Sequence, residues 1–153
     1  MATITNQAAL SYNGVTTLSN IAVGELVEVL TATKTAADTT YTAGGVKTFV
    51  ISLVNSSAAA LTGLTVTDTL GSYTFSGNTL YPLTYVTGSL LYYVNGALQA
   101  TPTVTATAPL TVTGVTVPAG GSAMLIYTAR VNEYAPLGVE DLSLIHILTL
   151  PTN

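Results

Sequence analysis

Few side chains in this 153-residue chain could carry chemistry, and their spacing restricts what that chemistry is. The cations are Lys34, Lys47 and Arg130; the acids are Glu25, Glu28, Asp38, Asp68, Glu133, Glu140 and Asp141; His146 is the single imidazole; cysteine is absent. A Ser-His-Asp relay needs an imidazole held between a hydroxyl and a carboxylate. His146 lies in an atypical C-terminal segment, so no such relay is expected. A glycosidase pair needs two carboxylates facing each other across a cleft. Glu25 and Glu28 have opposite parity on an extended strand and would point apart. Calcium needs clustered oxygen ligands in one loop, which no segment supplies. Without thiols there are no disulfides and no Cys-based metal sites. The expectation is a non-enzymatic chain that needs no cofactor.

One covalent device is compatible with this inventory. An intramolecular isopeptide bond needs a buried lysine beside an Asn or Asp, with a carboxylate to manage the proton. Lys34 and Lys47 fall on predicted strands, with Asn55 and Asp68 nearby in sequence. The plainer alternative makes the lysines exposed strand residues, and has Asp68 end a strand and accept turn N–H bonds.

The elements that must position these residues follow from composition. Hydrophobic residues make up 48% of the chain and charged residues 7%, against about 25% charged in an ordinary soluble domain. Threonine, with 29 residues, takes the place of charge. A net charge of −4 with three cations excludes a nucleic-acid footprint and a polybasic membrane patch. No apolar run approaches the roughly 18 residues of a membrane-spanning helix, so no membrane insertion is expected. The N-terminus lacks the charged and apolar regions of a secretory signal.

Helical periodicity is nearly absent. Short β-branched runs alternate with Gly, Asn or Pro, and predict strands at 4–12, 26–35, 46–55, 63–70, 89–94, 97–100, 110–117 and 122–132. Asn95-Gly96 predicts a type I′ hairpin turn. Residues 46–54 are apolar on both alternating sets, as a strand covered on both faces would be. Around Asp68, Leu64, Val66 and Leu70 should face a core while Thr65, Thr67 and Thr69 face solvent. Gly114 breaks the parity between Val112 and Val115, which predicts a β-bulge. The fold class is all-β, an antiparallel two-sheet immunoglobulin-like sandwich of seven to nine strands. Residues 1–138 form that single domain, and 139–153 are the atypical tail, whose Leu/Ile-rich run is similar to translated read-through rather than evolved sequence. The nine tyrosines, several of them between Tyr73 and Tyr93, are expected in core and cross-strand packing; the alternative is a sugar-stacking platform.

Several segments in order resemble a known family. These are Ile4-Thr5-Asn6-Gln7-Ala8, the run from Glu25 to Lys34, Tyr41-Thr42-Ala43-Gly44-Gly45-Val46-Lys47-Thr48-Phe49, Leu64-Thr65-Val66-Thr67-Asp68-Thr69-Leu70, and Pro118-Ala119-Gly120-Gly121-Ser122. Together they resemble the domain of unknown function eleven, the conserved-repeat sandwich of Gram-positive surface proteins, over residues 3 to 138. The resemblance implies a module on a cell or spore surface, with no catalytic residues to carry over. Family repeats close with an Ile-Thr-Asn-Thr-Ala-type strand, which here is missing after Gly138. An Ile-Thr-Asn strand stands instead at the N-terminus.

A sandwich lacking its closing strand leaves an unpaired edge and an apolar groove. Residues 1–14, through Ile4, Thr5, Asn6, Gln7, Ala8, Leu10 and Tyr12, either form the first strand of their own domain or fill a neighbour's groove by strand addition. The expected partners are therefore further copies of the chain or tandem sandwich neighbours. The alternative reading is an adhesin that binds glycan or host protein through loops near Tyr73–Tyr85 and Tyr92–Tyr93.

Overall fold

A computed structural model describes residues 3–25 and 28–136, in which there are fifteen strands and no helix. Four short strands come first: β1 (Thr3–Asn6), β2 (Ala9–Tyr12), β3 (Val15–Leu18) and β4 (Ala22–Glu25). They form an arm by themselves, β1 pairing with β4 and β2 with β3, and none of them joins a ladder of the larger sheets. The single strand expected over residues 4–12 is thus broken at Gln7-Ala8, and pairs with residues 15–25. Asn13-Gly14 is the reason: both residues take positive φ (49° and 77°), the type I′ requirement, and fold the segment back on itself. Ser19 fastens the break, its N–H donating to the Ala8 carbonyl (2.9 Å) and its Oγ accepting the Ala8 N–H (3.0 Å).

The remaining strands are β5 (Leu30–Ala36), β6 (Val46–Asn55), β7 (Leu61–Asp68), β8 (Tyr73–Phe75), β9 (Asn78–Leu80), β10 (Leu83–Tyr85), β11 (Leu91–Val94), β12 (Ala97–Gln99), β13 (Thr103–Thr107), β14 (Leu110–Val117) and β15 (Ser122–Val131). One antiparallel sheet runs β12-β11-β15-β6-β5, with β10 also pairing with β15; a second runs β13-β14-β7. Nine strands therefore lie in the two larger sheets, and the total exceeds the seven to nine expected. The arm strands β3 and β4, the small β8–β9 hairpin, β10 and β13 went unanticipated, because strands of three to five residues carry too few alternations to register as a period.

Alternation along β15 explains the core. Ala123, Leu125, Tyr127, Ala129 and Val131 are buried, whereas Met124 is exposed. Ala123, Leu125, Tyr127 and Ala129 share one apolar cluster with Ile51 and Leu53 of β6 and Leu110, Val112, Val115 and Val117 of β14. Contrary to expectation, β6 is covered on one face only. Ile51 and Leu53 point into the cluster, but Val46 and Val54 are 49% and 50% exposed. Among the described residues no element covers the outer face of this sheet at Val46 and Val54, while Val50 between them is half-buried.

Around Asp68 the expected sidedness holds: Leu64 and Val66 are half-buried, Leu70 is fully buried, and Thr65, Thr67 and Thr69 are exposed. The strand stops at Asp68, so Leu70 reaches the core from the turn, at φ 53°. Asn95 and Gly96 take φ 48° and 80° between β11 and β12, giving the expected tight hairpin. At Gly114 (φ 81°) the β14–β7 ladder slips between Thr113 and Val115, which restores Val115 and Val117 to the core side. The tail at 139–153, with His146, Glu140 and Asp141, lies outside the described residues.

Nothing lies within 4 Å of where a Gly114 Cβ would stand, so Gly114→Ala tests the backbone conformation alone. It should destabilise the domain by about 1–2 kcal/mol, read as a lower urea midpoint with unchanged slope.

Candidate functional site

The four residues singled out for isopeptide chemistry separate into three places. Lys47 is 8% exposed on β6, and its Nζ donates to the carbonyls of Asp38 (2.5 Å) and Thr40 (2.6 Å). It pins the β5–β6 loop, away from any carboxylate in the described ion pairs. Asn55, at the end of β6, is 1% exposed. Its amide donates to the carbonyls of Ala59 (2.8 Å), Pro118 (2.9 Å) and Val117 (3.3 Å), while its Oδ1 accepts from the N–H and hydroxyl of Ser57. It staples the β6–β7 connection to the end of β14. Both are thereby structural: buried polar groups held by hydrogen bonds to nearby loops.

Lys34 and Asp68 meet. Lys34 lies on the outermost strand of the larger sheet, opposite Ile51 of β6, and its Nζ sits 2.5 Å from Asp68 Oδ2. Asp68 ends β7, the outermost strand of the smaller sheet, and its side chain is 6% exposed against 39% for Lys34. Oδ1 accepts the Leu70 N–H at 2.9 Å, the turn-capping role anticipated for this residue. Oδ2 also accepts the Tyr127 hydroxyl from β15. A carboxylate this buried is tolerated only when donors surround it; here they come from two strands of the larger sheet and from the turn that follows β7. Lys34 Nζ also lies 4.7 Å from the centroid of the Phe49 ring, which stacks on Tyr127 with ring centroids 5.5 Å apart. Tyr127 and Phe49 are expected from sequence only as packing residues of their strands, not as part of a site. Their registered positions on β15 and β6 give the only clue, and it requires knowing that those strands pair.

On either side of this node the two sheets part. A groove of about 510 Å³ lies between β5 and β7, floored by Ile51 and Leu53 and walled by Leu30, Ala32, Leu64 and Val66. A second opening of about 600 Å³, lined by Ala36, Phe49, Pro82, Leu83 and Val131 among others, follows β5 in the other direction. Each groove-side strand is the last of its sheet, with one ladder partner. Meanwhile the arm exposes apolar side chains: Ile4 (76%), Leu10 (71%), Tyr12 (73%) and Val15 (66%). Leu10 and Tyr12 share a face, with Val15 opposite Tyr12 in the ladder.

The tyrosines named for a sugar platform turn largely inward. Tyr85 and Tyr92 are buried at 6% each, and the Tyr92 hydroxyl donates to the Thr116 carbonyl at 2.6 Å. Tyr73 is half-buried with its hydroxyl on the Tyr134 carbonyl (2.9 Å); burial, reinforced by the nearby Tyr134, pushes its pKa above the usual tyrosine value. Among the described residues no three His, Cys, Asp or Glu side chains gather closely enough to hold a metal ion.

Removing the hydroxyl in Tyr127→Phe deletes one donor to a buried carboxylate and keeps the ring packing. The expected loss is about 1.5–3 kcal/mol in urea unfolding.

Comparison with known proteins finds no matching family model, no matching curated protein and no matching solved structure.

Proposed function

We propose that this chain is a non-enzymatic structural module of a bacterial surface layer, stalk or filamentous appendage. In this reading the two larger sheets are an immunoglobulin-like sandwich displayed on an extracellular cell or spore surface. Copies join head to tail by strand addition, the arm of one entering the groove between β5 and β7 of the next. The supporting observation is that both halves of such a joint occur in one chain: an arm whose large apolar side chains are at least 56% exposed, and a groove whose floor is core side chains. An apolar surface of this kind on a free-standing hairpin favours a protein partner over water.

The edges differ in readiness. Lys34 directs a charge inward from β5, a device that discourages a further strand from docking on that edge. Along the groove, β7 presents exposed Thr65 and Thr67 and no charge before Asp68, so the added strand pairs with β7. Donor and acceptor are different surfaces, so the contact is heterologous; it propagates as a filament unless the rotation closes a ring. The resemblance to surface-repeat sandwiches supports the same reading, as does a chain with only 7% charged residues and no cysteine.

Two surface substitutions test the joint. Leu10→Asp charges the arm, and Ala32→Phe fills the groove from an exposed position on β5. The parent chain should form concentration-dependent filaments in negative-stain electron microscopy, and each variant alone should remain monomeric. Mixed, the two should form dimers in sedimentation, because each retains one intact half. A parent chain that stays monomeric at millimolar concentration would overturn strand addition.

A further inference from the structure

We propose that Lys34 and Asp68 condense to an amide, an intramolecular isopeptide bond from β5 to β7 that ties the two larger sheets covalently. This is independent of strand addition and rests on the geometry of the node. The nucleophile already contacts the carboxyl group it would attack, with Nζ 2.5 Å from Asp68 Oδ2. The two carboxylate oxygens are unequally held, and this sorts their roles. Oδ1 faces the Leu70 N–H (2.9 Å), a donor placed to hold the charge that develops on that oxygen when the carbon becomes tetrahedral. Oδ2 faces the ammonium and the Tyr127 hydroxyl, both proton donors.

The step balances without a co-reactant. The Lys34 ammonium passes a proton to Oδ2, leaving a neutral amine beside a carboxylic acid. The Nζ lone pair adds to Cγ, and Oδ1 takes the negative charge under the Leu70 N–H. A second Nζ proton passes to Oδ2 with the Tyr127 hydroxyl as donor and relay. The Cγ–Oδ2 bond breaks, and one water leaves as the Oδ1 carbonyl re-forms. The product is Nζ–Cγ, a neutral amide that replaces two charges.

Two features favour closure over the ion pair. The fold holds the reactants in contact, and effective molarities for such oriented pairs reach about 10⁵–10⁸ M. The carboxylate is also nearly dry, which penalises the charged pair relative to a neutral amide and slows the reverse attack by water. The Phe49 ring beneath Nζ and its stack on Tyr127 keep bulk water from that side. Asn55 and Lys47 have no such arrangement: Lys47 donates to two loop carbonyls, and Asn55 bonds three carbonyls and Ser57.

The test is the intact mass of the purified full chain under denaturing conditions, followed by digestion and fragment sequencing. The expected mass is below the sequence mass by one water, with the Lys34 and Asp68 peptides recovered as a single branched species. Lys34→Arg, which keeps the charge and cannot acylate in this way, should show the full mass. Tyr127→Phe should form the bond about 100-fold more slowly, followed as branched product against time after refolding. If the unmodified chain has its full sequence mass and yields the two peptides separately, the bond is absent and the proposal falls. A deficit of one ammonia, which would place the acyl donor on an asparagine, overturns it equally. The mass of the unmodified chain decides the matter even if a variant fails to fold.

Discussion

A carboxylate placed between two apolar layers must be matched by donors, and in this chain that requirement fixes how the layers meet. Asp68 brings its charge from the last strand of the small sheet. Its partners are Tyr127 at the centre of the large sheet, Lys34 at that sheet's edge, and the Leu70 N–H in the following turn. An apolar core tolerates many side-chain swaps at similar volume, because burial is non-directional. A buried ionic node tolerates almost none, since a shift in strand register strips the charge of its donors. The hydrophobic cluster supplies the bulk of the attraction between the layers, and the node selects one seating for them.

Around that node the molecule uses threonine where other domains use charge. The solvent face of β7 carries Thr65 and Thr67, and that of β13 carries Thr103, Thr105 and Thr107. These side chains are polar enough for water and β-branched enough to favour extended backbone, so one residue type meets both demands. Electrostatics therefore concentrates in three well-placed groups: the Asp68–Lys34 pair, Lys47 over two loop carbonyls, and Arg130, whose Nη1 donates to the Gly44 carbonyl at 2.8 Å. Each cation fastens an edge or a loop.

The same economy leaves surfaces unfinished. Among the described residues the β5 and β7 edges and the furrow between them are open, while a separate hairpin holds its apolar residues out to solvent. Proteins ordinarily protect such edges with charge, bulges or covering segments. Here β5 has its inward lysine, whereas β7 slips in register near Gly63 but carries no charged side chain along the groove before Asp68. That asymmetry gives the proposed assembly a direction, and the isopeptide would keep the acceptor from prying open under load.

Sequence alone determined the local outcomes, because these depend on neighbours in the chain. Alternation placed Leu64 and Val66 inward and the threonines outward; Asn95-Gly96 dictated a hairpin; Gly114 dictated a bulge; Asp68 was legible as a strand-ending acceptor. Asn13-Gly14 carried the same signal as Asn95-Gly96 and, given the same weight, would have shown that the first segment folds on itself. What only the tertiary structure decided is which residues from distant segments come together. Lys34, Lys47, Asn55 and Asp68 were equivalent candidates in sequence. Pairing of β5 with β6 and β6 with β15, and the seating of β7 above them, brought Lys34, Asp68 and Tyr127 to one point and gave the other two to loop carbonyls. The one-sided covering of β6 was decided the same way. Exposure depends on whether another layer arrives, and a strand's own residues carry no record of that.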